Sequence, residues 1–410
     1  MDKSRAGRLW MPVALAGAVL MITMGIRQSV GLFLHPVRDA TGMSVADISM
    51  ALAVGQLMWG AFQPLFGAWA DKGSPLAALG TGIFCLAAGQ LLTVPADSFP
   101  MLVLAQGLLS PAGAAAGSFS VLIGIVSSRL APESRSVAAG CINAMGSLGQ
   151  FIFAPVVQFV MHLRGYPTSL ALLSGLSLAA LLPAFVLCRT GEVKAASGPA
   201  AASGKVSGAE LKGQLRAALG DRSYLLLHAG FFTCGFHVAF LTTHLPGEIG
   251  LCGHSASVSA LSLSLIGLSN IAGSIGIGVL GKHFRMKFLL ALMYAGRALM
   301  IAVYLASPKT ELTFYVFAVT TGLTWLATVP PTAGLVGKLF GTRCLATLFG
   351  LTLFTHQIGG FLGAWFGGLA LQNSGSFLWV WYVDIALASF AALVNLPIRE
   401  QPVGRRKGAP

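Results

Sequence analysis

The segment Gly67-Ala-Trp-Ala-Asp71-Lys72-Gly73 stands between two long apolar stretches, residues 45–70 and 76–95. Each stretch has the roughly 20 residues that an α-helix needs to cross about 30 Å of hydrocarbon. The segment itself is short and carries two adjacent charges between glycines, which favour tight turns. The sequence therefore predicts two membrane-spanning helices joined by a charged turn.

The composition of the whole chain is that of a membrane protein. Of its 410 residues, 55% are hydrophobic and 10% are charged, whereas about 25% of the residues of a soluble globular protein are charged. A soluble enzyme and a disordered chain are both excluded. The six cysteines are scattered without a C-x-x-C motif, and the sequence has no P-loop, H-E-x-x-H motif or nucleophile elbow. We therefore expect no enzymatic activity, no cofactor and no bound metal.

Stretches long enough to cross a membrane recur along the chain. The predicted spans 1 to 12 are 11–35, 45–70, 76–95, 99–127, 136–161, 168–188, 223–246, 256–281, 288–306, 313–337, 345–371 and 378–396. The fold class that they predict is an all-α integral membrane protein with twelve transmembrane helices.

The basic residues indicate which way the chain crosses the membrane. With the N-terminus placed inside, 21 of the 26 lysine and arginine residues lie on the inner side and three on the outer side. Such an excess marks the cytoplasmic face. We expect a multi-pass protein of the bacterial inner membrane with both termini in the cytoplasm. Nucleic acid is not an expected partner, because the basic residues do not cluster into one patch.

A polar linker and an internal repeat divide the chain into two parts. Residues 191–222 form the predicted cytoplasmic linker between an N-terminal six-helix half (1–190) and a C-terminal six-helix half (223–410). Several residues recur at an offset of about 210. The matching pairs are Gly25 and Gly235, Pro36 and Pro246, Gly140 and Gly350, and Gly149 and Gly359. This repeat indicates two related helix bundles.

Residues 67–73 resemble the G-x-x-x-D-[RK]-x-G motif of the major facilitator superfamily, and they occupy the same place, after the second span. The resemblance implies two pseudo-symmetric six-helix bundles that rock against each other. It also implies a conformational gating role for Gly67, Asp71, Lys72 and Gly73, which would hold the inner loop to neighbouring helix ends until the halves separate. The second copy of the motif, residues 278–285, lacks the acidic residue.

Two further segments are similar to bacterial monocarboxylate and oxalate/formate-type carriers of that superfamily. They are Gly146-Ser-Leu-Gly-Gln-Phe-Ile-Phe-Ala-Pro155 in span 5 and Gly25-Ile-Arg-Gln-Ser-Val-Gly-Leu-Phe33 in span 1. This similarity implies that Arg27 is a substrate-binding base. The motifs typical of drug–proton antiporters in spans 4 and 5 are not intact in this sequence.

Three charged residues, Arg27, Arg297 and Asp384, lie in the interior of the predicted spans, away from the span ends. A charge at the membrane centre costs about 2.5 to 3.5 kcal/mol on insertion scales, so each needs a partner, water or a function. Arg27 has no acid in its own span and is suited to bind a carboxylate; the alternative is a structural arginine bonded to backbone carbonyls. Arg297 either forms an ion pair with Asp384 or reaches the cavity as a second anion site.

Neutral polar side chains in the spans complete the candidate substrate site. His237 matches Arg27 in the repeat and is expected to face the same cavity. His237 and His356 are candidates for a coupling proton, because histidine titrates near neutral pH; alternatively, the proton travels on the substrate carboxylate. The other expected contacts are Gln28, Asn143, Gln150, Asn270, Gln357 and Trp325, the last near the Pro330-Pro331 break. For each of them, hydrogen bonding between helices is the alternative role.

Two functions are compatible with these features. The first is a secondary active transporter of a small, monocarboxylate-like organic anion, coupled to protons as a symporter and working by alternating access. The second is an exporter of drugs, siderophores or other amphipathic metabolites, which would need a wide apolar cavity and a buried carboxylate for cations. The expected partners are the anion, protons and the lipid bilayer, and the expected oligomeric state is a monomer.

Overall fold

The computed structural model describes residues 3–43, 45–189 and 206–403, so the predicted linker is described only from residue 206 onwards. These residues contain α-helices and no β-strand. The helices of the N-terminal half are α1 (Lys3–Ser29), α2 (Leu34–Thr41), α3 (Val45–Asp71), α4 (Pro75–Thr93), α5 (Phe99–Leu102), α6 (Ser110–Ala116), α7 (Phe119–Ser127), α8 (Pro132–Ala179) and α9 (Leu181–Arg189). The remaining helices are α10 (Gly208–Leu219), α11 (Arg222–Leu251), α12 (Ala256–His283), α13 (Met286–Ala306), α14 (Glu311–Thr324), α15 (Val329–Phe340), α16 (Leu345–Ser374) and α17 (Leu378–Asn395). A 3-10 turn (Val30–Phe33) follows α1, and a π-helical segment (Val103–Leu109) joins α5 to α6.

The helices account for all twelve predicted spans. Eleven helical stretches of the described residues are long and apolar enough to cross a membrane. The remaining span, the second, is α3, a helix of 27 residues. It carries Gln56, Gln63 and Pro64, which make it less apolar than its neighbours. Span 5 lies on α8, and span 6 comprises the last part of α8 and the helix α9. Between the two spans the chain turns at Gly165, whose φ of +79° suits glycine.

Spans 4 and 10 are each interrupted near the middle. In span 10, α14 ends at Thr324 and α15 begins at Val329. Pro330 and Pro331 cause this expected break, because proline has no N–H to donate to the preceding turn. The sequence predicts span 4 as continuous, but α6 ends at Ala116 and the backbone becomes extended at Ser118. The two breaks, at residues 117–118 and 325–328, match at the repeat offset of about 210.

The two halves meet along two pairs of helices, α3 with α16 and α8 with α12. Because successive spans alternate in direction, the N-terminus, the start of α11 and the end of α17 lie on one side of the bundle, which we call the terminal side. Towards that side, Gly67 packs on the backbone of Ala346, and Gly140 packs on Ser274 and Gly278. The halves are therefore in close contact on the terminal side.

Candidate functional site

A small cavity lies at mid-depth where the two halves meet. Its volume is about 50 Å³. Its polar lining comes from Gln63, Asn143, Ser147, Gln150 and His356, and its apolar lining includes Trp59, Phe119, Leu326 and Leu353. A cavity needs a volume of roughly 10–15 Å³ to hold one water molecule. This cavity therefore has room for a few waters and is too small for an organic acid. Both span breaks contribute to its wall, through Ser118 and Leu326.

Arg27 lies beside this cavity, in a polar chain that joins the halves. Its guanidinium lies over the ring of Trp59, with 3.8 Å between Cζ and the ring centroid. Its Nη2 donates a hydrogen bond to Oε1 of Gln56, and Nε2 of Gln56 donates to Oε1 of Gln357 on α16. Gln357 in turn donates from Nε2 to Nδ1 of His356, at 3.2 Å. No carboxylate pairs with Arg27 within residues 3–43, 45–189 and 206–403.

Asn143 and Asn270 tie the halves to the break in span 10. Nδ2 of Asn143 donates to Oγ of Ser274 (2.8 Å) and to the carbonyl of Leu326 (3.1 Å). Nδ2 of Asn270 donates to Oγ of Ser147 (2.6 Å), and its Oδ1 accepts from the backbone N–H of Leu326 (3.0 Å). These bonds satisfy backbone groups that the break leaves without helical partners.

A second polar cluster is buried in the C-terminal half. Nδ1 of His237 lies 2.5 Å from Oδ2 of Asp384, and both side chains are 1% exposed. Arg297 is also buried; its Nη2 donates to the carbonyls of Thr324 (2.7 Å) and Trp325 (3.1 Å). In the described part of the chain, Asp384 thus pairs with His237 and not with Arg297, the partner that we considered from the sequence. The reason is that the guanidinium binds the open carbonyl end of α14.

The charged turn after α3 contacts the start of α16. Oδ2 of Asp71 accepts hydrogen bonds from the backbone N–H of Thr347 (2.9 Å) and from its Oγ1 (2.7 Å). A carboxylate at a helix N-terminus is favoured by the helix dipole. Gly73 has a φ of +91°, and Lys72 is exposed. Asp71 therefore caps α16 of the other half and holds the terminal side together.

The structure brings some of the predicted substrate contacts together and separates others. Asn143, Gln150 and His356 line the cavity, while Arg27 and Gln357 lie in the polar chain beside it. His237 and Arg297 belong to the buried cluster, and the ring of Trp325 meets the ring of His237 edge-on, with 5.8 Å between centroids. Asn270 bonds the span 10 break, and Gln28 is half-buried on α1 outside the cavity lining.

Two residues of these contacts, Gln56 and Thr347, are not among the residues predicted from the sequence. Gln56 links Arg27 to Gln357, and Thr347 receives Asp71. The spacing of Gln56 and Gln63 was an available signal for the first, because two glutamines seven residues apart lie on one face of an otherwise apolar helix. No such signal exists for Thr347, which is one of three threonines in span 11.

In the described residues, helices cover all twelve predicted spans, two spans are broken at matching positions of the two halves, and polar groups lie where the halves meet. These features define the architecture of a membrane transporter. The chain belongs to the major facilitator superfamily, whose family model matches residues 13–364.

Individual relatives agree with this assignment. Monocarboxylate transporter 13 of Bos taurus is 28% identical over 398 residues, which cover 95% of this chain and 89% of that protein. The oxalate:formate antiporter of Oxalobacter formigenes is 29% identical over 159 residues, 39% of this chain and 37% of that protein. The crystal structure of the E. coli fucose:proton symporter has a TM-score of 0.68 at 15% identity and covers 94% of this chain and 98% of that one. The predicted family and fold class are confirmed, and the protein is a membrane transporter and not an enzyme.

Loosening of the terminal side is expected when the Asp71 contact is weakened. Cys344 is 2% exposed at the start of α16. Burial, and then the nearby carboxylates of Asp71 and Glu210, raise the pKa of its thiol to about 11. Thr347→Val removes one hydrogen bond to Asp71 and keeps the carboxylate. A hydrogen bond to a charged group contributes about 1.5 to 3 kcal/mol, so maleimide should label Cys344 roughly tenfold faster in this variant.

Labelling of the wild type, Thr347→Val and Cys344→Ser, followed by mass spectrometry, measures this effect. Cys344→Ser identifies the labelled site, and Asp97→Asn, which changes an exposed acid, is the control for nonspecific effects. Equal labelling of Cys344 in the wild type and in Thr347→Val would show that the Asp71 contact does not keep the terminal side closed.

Proposed function

We propose that this protein is a secondary active transporter that moves a small organic anion of the monocarboxylate type together with protons, by alternating access. The observation that carries the proposal is the position of Arg27. It is a half-buried cation inside a membrane span, it lies where the halves meet, and no carboxylate pairs with it in the described residues. A charge at that depth is stabilised by an opposite charge, which none of the described residues supplies to Arg27.

A substrate carboxylate would bind in place of Gln56. The amide oxygen of Gln56 is neutral and accepts from one guanidinium nitrogen. A carboxylate accepts two parallel hydrogen bonds from the guanidinium and also supplies the opposite charge. Trp59 would remain on one face of the guanidinium, and the apolar part of the acid would lie against Phe119 and Leu353 in the cavity wall. The site thus suits an acid with an apolar body.

Binding at Arg27 would act directly on the contact between the halves. The bond from Gln56 to Gln357 joins α3 to α16 at mid-depth, and a substrate that displaces Gln56 breaks this link. The cavity must widen to admit the substrate, while Asp71 and Thr347 keep the terminal side closed. Asn143, His356 and Gln357 are the further direct contacts that we propose, with Gln28 one residue from Arg27. Asn270, Trp325 and Arg297 would shape the wall by holding the span 10 break.

The names of two relatives support a carboxylate substrate, since one is called a monocarboxylate transporter and the other an oxalate:formate antiporter. The distribution of basic residues supports a cytoplasmic terminal side in a bacterial inner membrane. We propose functional halves 1–190 and 223–410 joined by the linker 191–222 and acting as a monomer. His237 and His356 are the titratable groups that we propose for proton coupling.

Counterflow in proteoliposomes tests the proposal. Liposomes that contain the purified protein are loaded with one unlabelled test compound and placed in a solution with a trace of the same compound in labelled form. The test compounds are monocarboxylates, dicarboxylates, amines and neutral sugars. We expect exchange of at least one carboxylate and none of the amines or sugars, and net uptake that follows an inward proton gradient. Liposomes without protein are the control. Exchange of an amine or a sugar, with no exchange of any carboxylate, would contradict the proposal.

A further inference from the structure

The buried cluster in the C-terminal half has the features of a reversible proton site. Asp384 is the only acidic residue in the middle of a predicted span. It pairs with His237, whose imidazole is the side chain that titrates near neutral pH. In the described residues, Oδ1 of Asp384 and Nε2 of His237 have no hydrogen-bond partner. Buried polar atoms are nearly always hydrogen-bonded, so these two atoms need an explanation, and exchange of a proton is one.

We propose that the His237–Asp384 pair carries the coupling proton and that the break in span 10, residues 325–328, conveys its protonation to the substrate cavity. This inference rests on the proposed function as a proton-coupled anion transporter and adds the groups that bind the proton and the element that responds.

The two protonation states of the pair differ in how the charges of the cluster balance. When His237 is neutral, the pair carries the negative charge of Asp384, and the cluster also contains the positive charge of Arg297, which acts on His237. When His237 is protonated, it forms an ion pair with Asp384 itself. The carboxylate therefore has a positive charge in the same cluster in either state, whereas the charge of Arg297 is opposed by the pair only while His237 is neutral.

Arg297 connects the pair to the other titratable groups of the cluster, because it interacts with His237, Cys234 and Tyr294. Cys234 lies one turn away on α11, Tyr294 and Arg297 lie on α13, and His356 of α16 lies near Cys234. The hydrogen bonds of Arg297 to the carbonyls of Thr324 and Trp325 fix its guanidinium to the end of α14. Arg297 is therefore the permanent charge of the cluster, and the state of the pair decides whether that charge is balanced.

The span 10 break lies between this cluster and the substrate cavity. Trp325 contacts His237 through its ring and accepts from Arg297 through its carbonyl. The next residue, Leu326, lines the cavity and bonds to Asn143 and Asn270. A proton on the pair leaves the charge of Arg297 unbalanced, and an anion in the cavity restores the balance. Proton and anion therefore favour each other's binding, and this coupling is reciprocal by thermodynamic linkage.

Two assays on Asp384→Asn and His237→Gln in proteoliposomes separate proton coupling from anion transport. Counterflow at equal pH on both sides requires no net proton movement, whereas accumulation driven by a pH gradient requires it. We expect both variants to retain counterflow of the carboxylate that the wild type exchanges and to lose gradient-driven accumulation. The increase in substrate affinity at low pH, roughly 5- to 150-fold in coupled systems, should also be lost. Asp97→Asn, at an exposed acid, should behave as the wild type does.

Gradient-driven accumulation by Asp384→Asn at the wild-type level would overturn the assignment of the proton site and leave anion transport intact. Absence of counterflow in the wild type would instead contradict the proposed function. Tryptophan fluorescence recorded over a range of pH needs neither a substrate nor a variant of the pair. A protonated imidazole of His237 would quench the fluorescence of the adjacent Trp325. Quenching on acidification that is missing in Trp325→Phe supports the proton site, and wild-type emission that does not change with pH contradicts it.

Discussion

Arg27→Gln is expected to reduce carboxylate uptake by at least about 100-fold, because two hydrogen bonds to a charged group contribute about 1.5 to 3 kcal/mol each. Glutamine is neutral and cannot form the parallel pair of bonds that a guanidinium offers to a carboxylate. Arg27→Lys keeps the charge and loses the fork, so its uptake should fall between those of Arg27→Gln and the wild type. Initial rates of labelled acid uptake into proteoliposomes, over a range of concentrations, give both values.

Arg164→Gln is the matched control, since it removes an arginine that is exposed beside the turn at Gly165. Its uptake should equal that of the wild type. Thermal unfolding of each purified variant separates a binding defect from a folding defect. We expect Arg27→Gln to fold, because the amide that it introduces can still bond to Gln56. Wild-type uptake by a folded Arg27→Gln protein would show that Arg27 is a structural residue, which is the alternative role that its sequence context allows.

The spans could be predicted from the sequence because the hydrocarbon core imposes a length and a composition on every helix that crosses it. Even α3, made less apolar by Gln56 and Gln63, is recognisable through the charged turn that follows it. The break in span 10 could be foreseen from Pro330 and Pro331. The matching break at Ser118 could not, because no proline lies there; the break is bonded instead by Thr23 of α1, which donates to the carbonyl of Gly117.

Contacts across the bundle were beyond sequence reasoning. The repeat places His237 at the depth of Arg27, but it does not fix the rotation of α11 or the choice of partner. Asp384 lies 147 residues from His237 in sequence, and the nearest basic alternative, Arg297, is engaged by carbonyls that only the three-dimensional break exposes. A charge inside a span can therefore be recognised as significant from the sequence, while its partner depends on helix packing.

The second large effect is expected from Gly140→Val, which should reduce transport at least about fivefold by preventing α8 and α12 from meeting. A Cβ at position 140 would lie 2.5 Å from the carbonyl oxygen of Ser274. The backbone of α12 cannot move away without loss of the hydrogen bond from Asn143 to Ser274. Overpacking of this kind costs about 1 to 3 kcal/mol, which corresponds to a shift of roughly 5- to 150-fold away from the state that is closed on the terminal side.

The rate at which maleimide labels Cys344 distinguishes an opened terminal side from a misfolded protein. In Gly140→Val we expect Cys344 to react faster while the protein remains monodisperse and retains its wild-type melting temperature. Gly276→Val is the control, because it adds the same side chain to α12 where nothing lies within 4 Å of the new Cβ. Loss of transport with an unchanged Cys344 rate would contradict a role of Gly140 in closure. Since Gly140 lies on α8 and Cys344 precedes α16, faster labelling would also show that the two contacts between the halves open together.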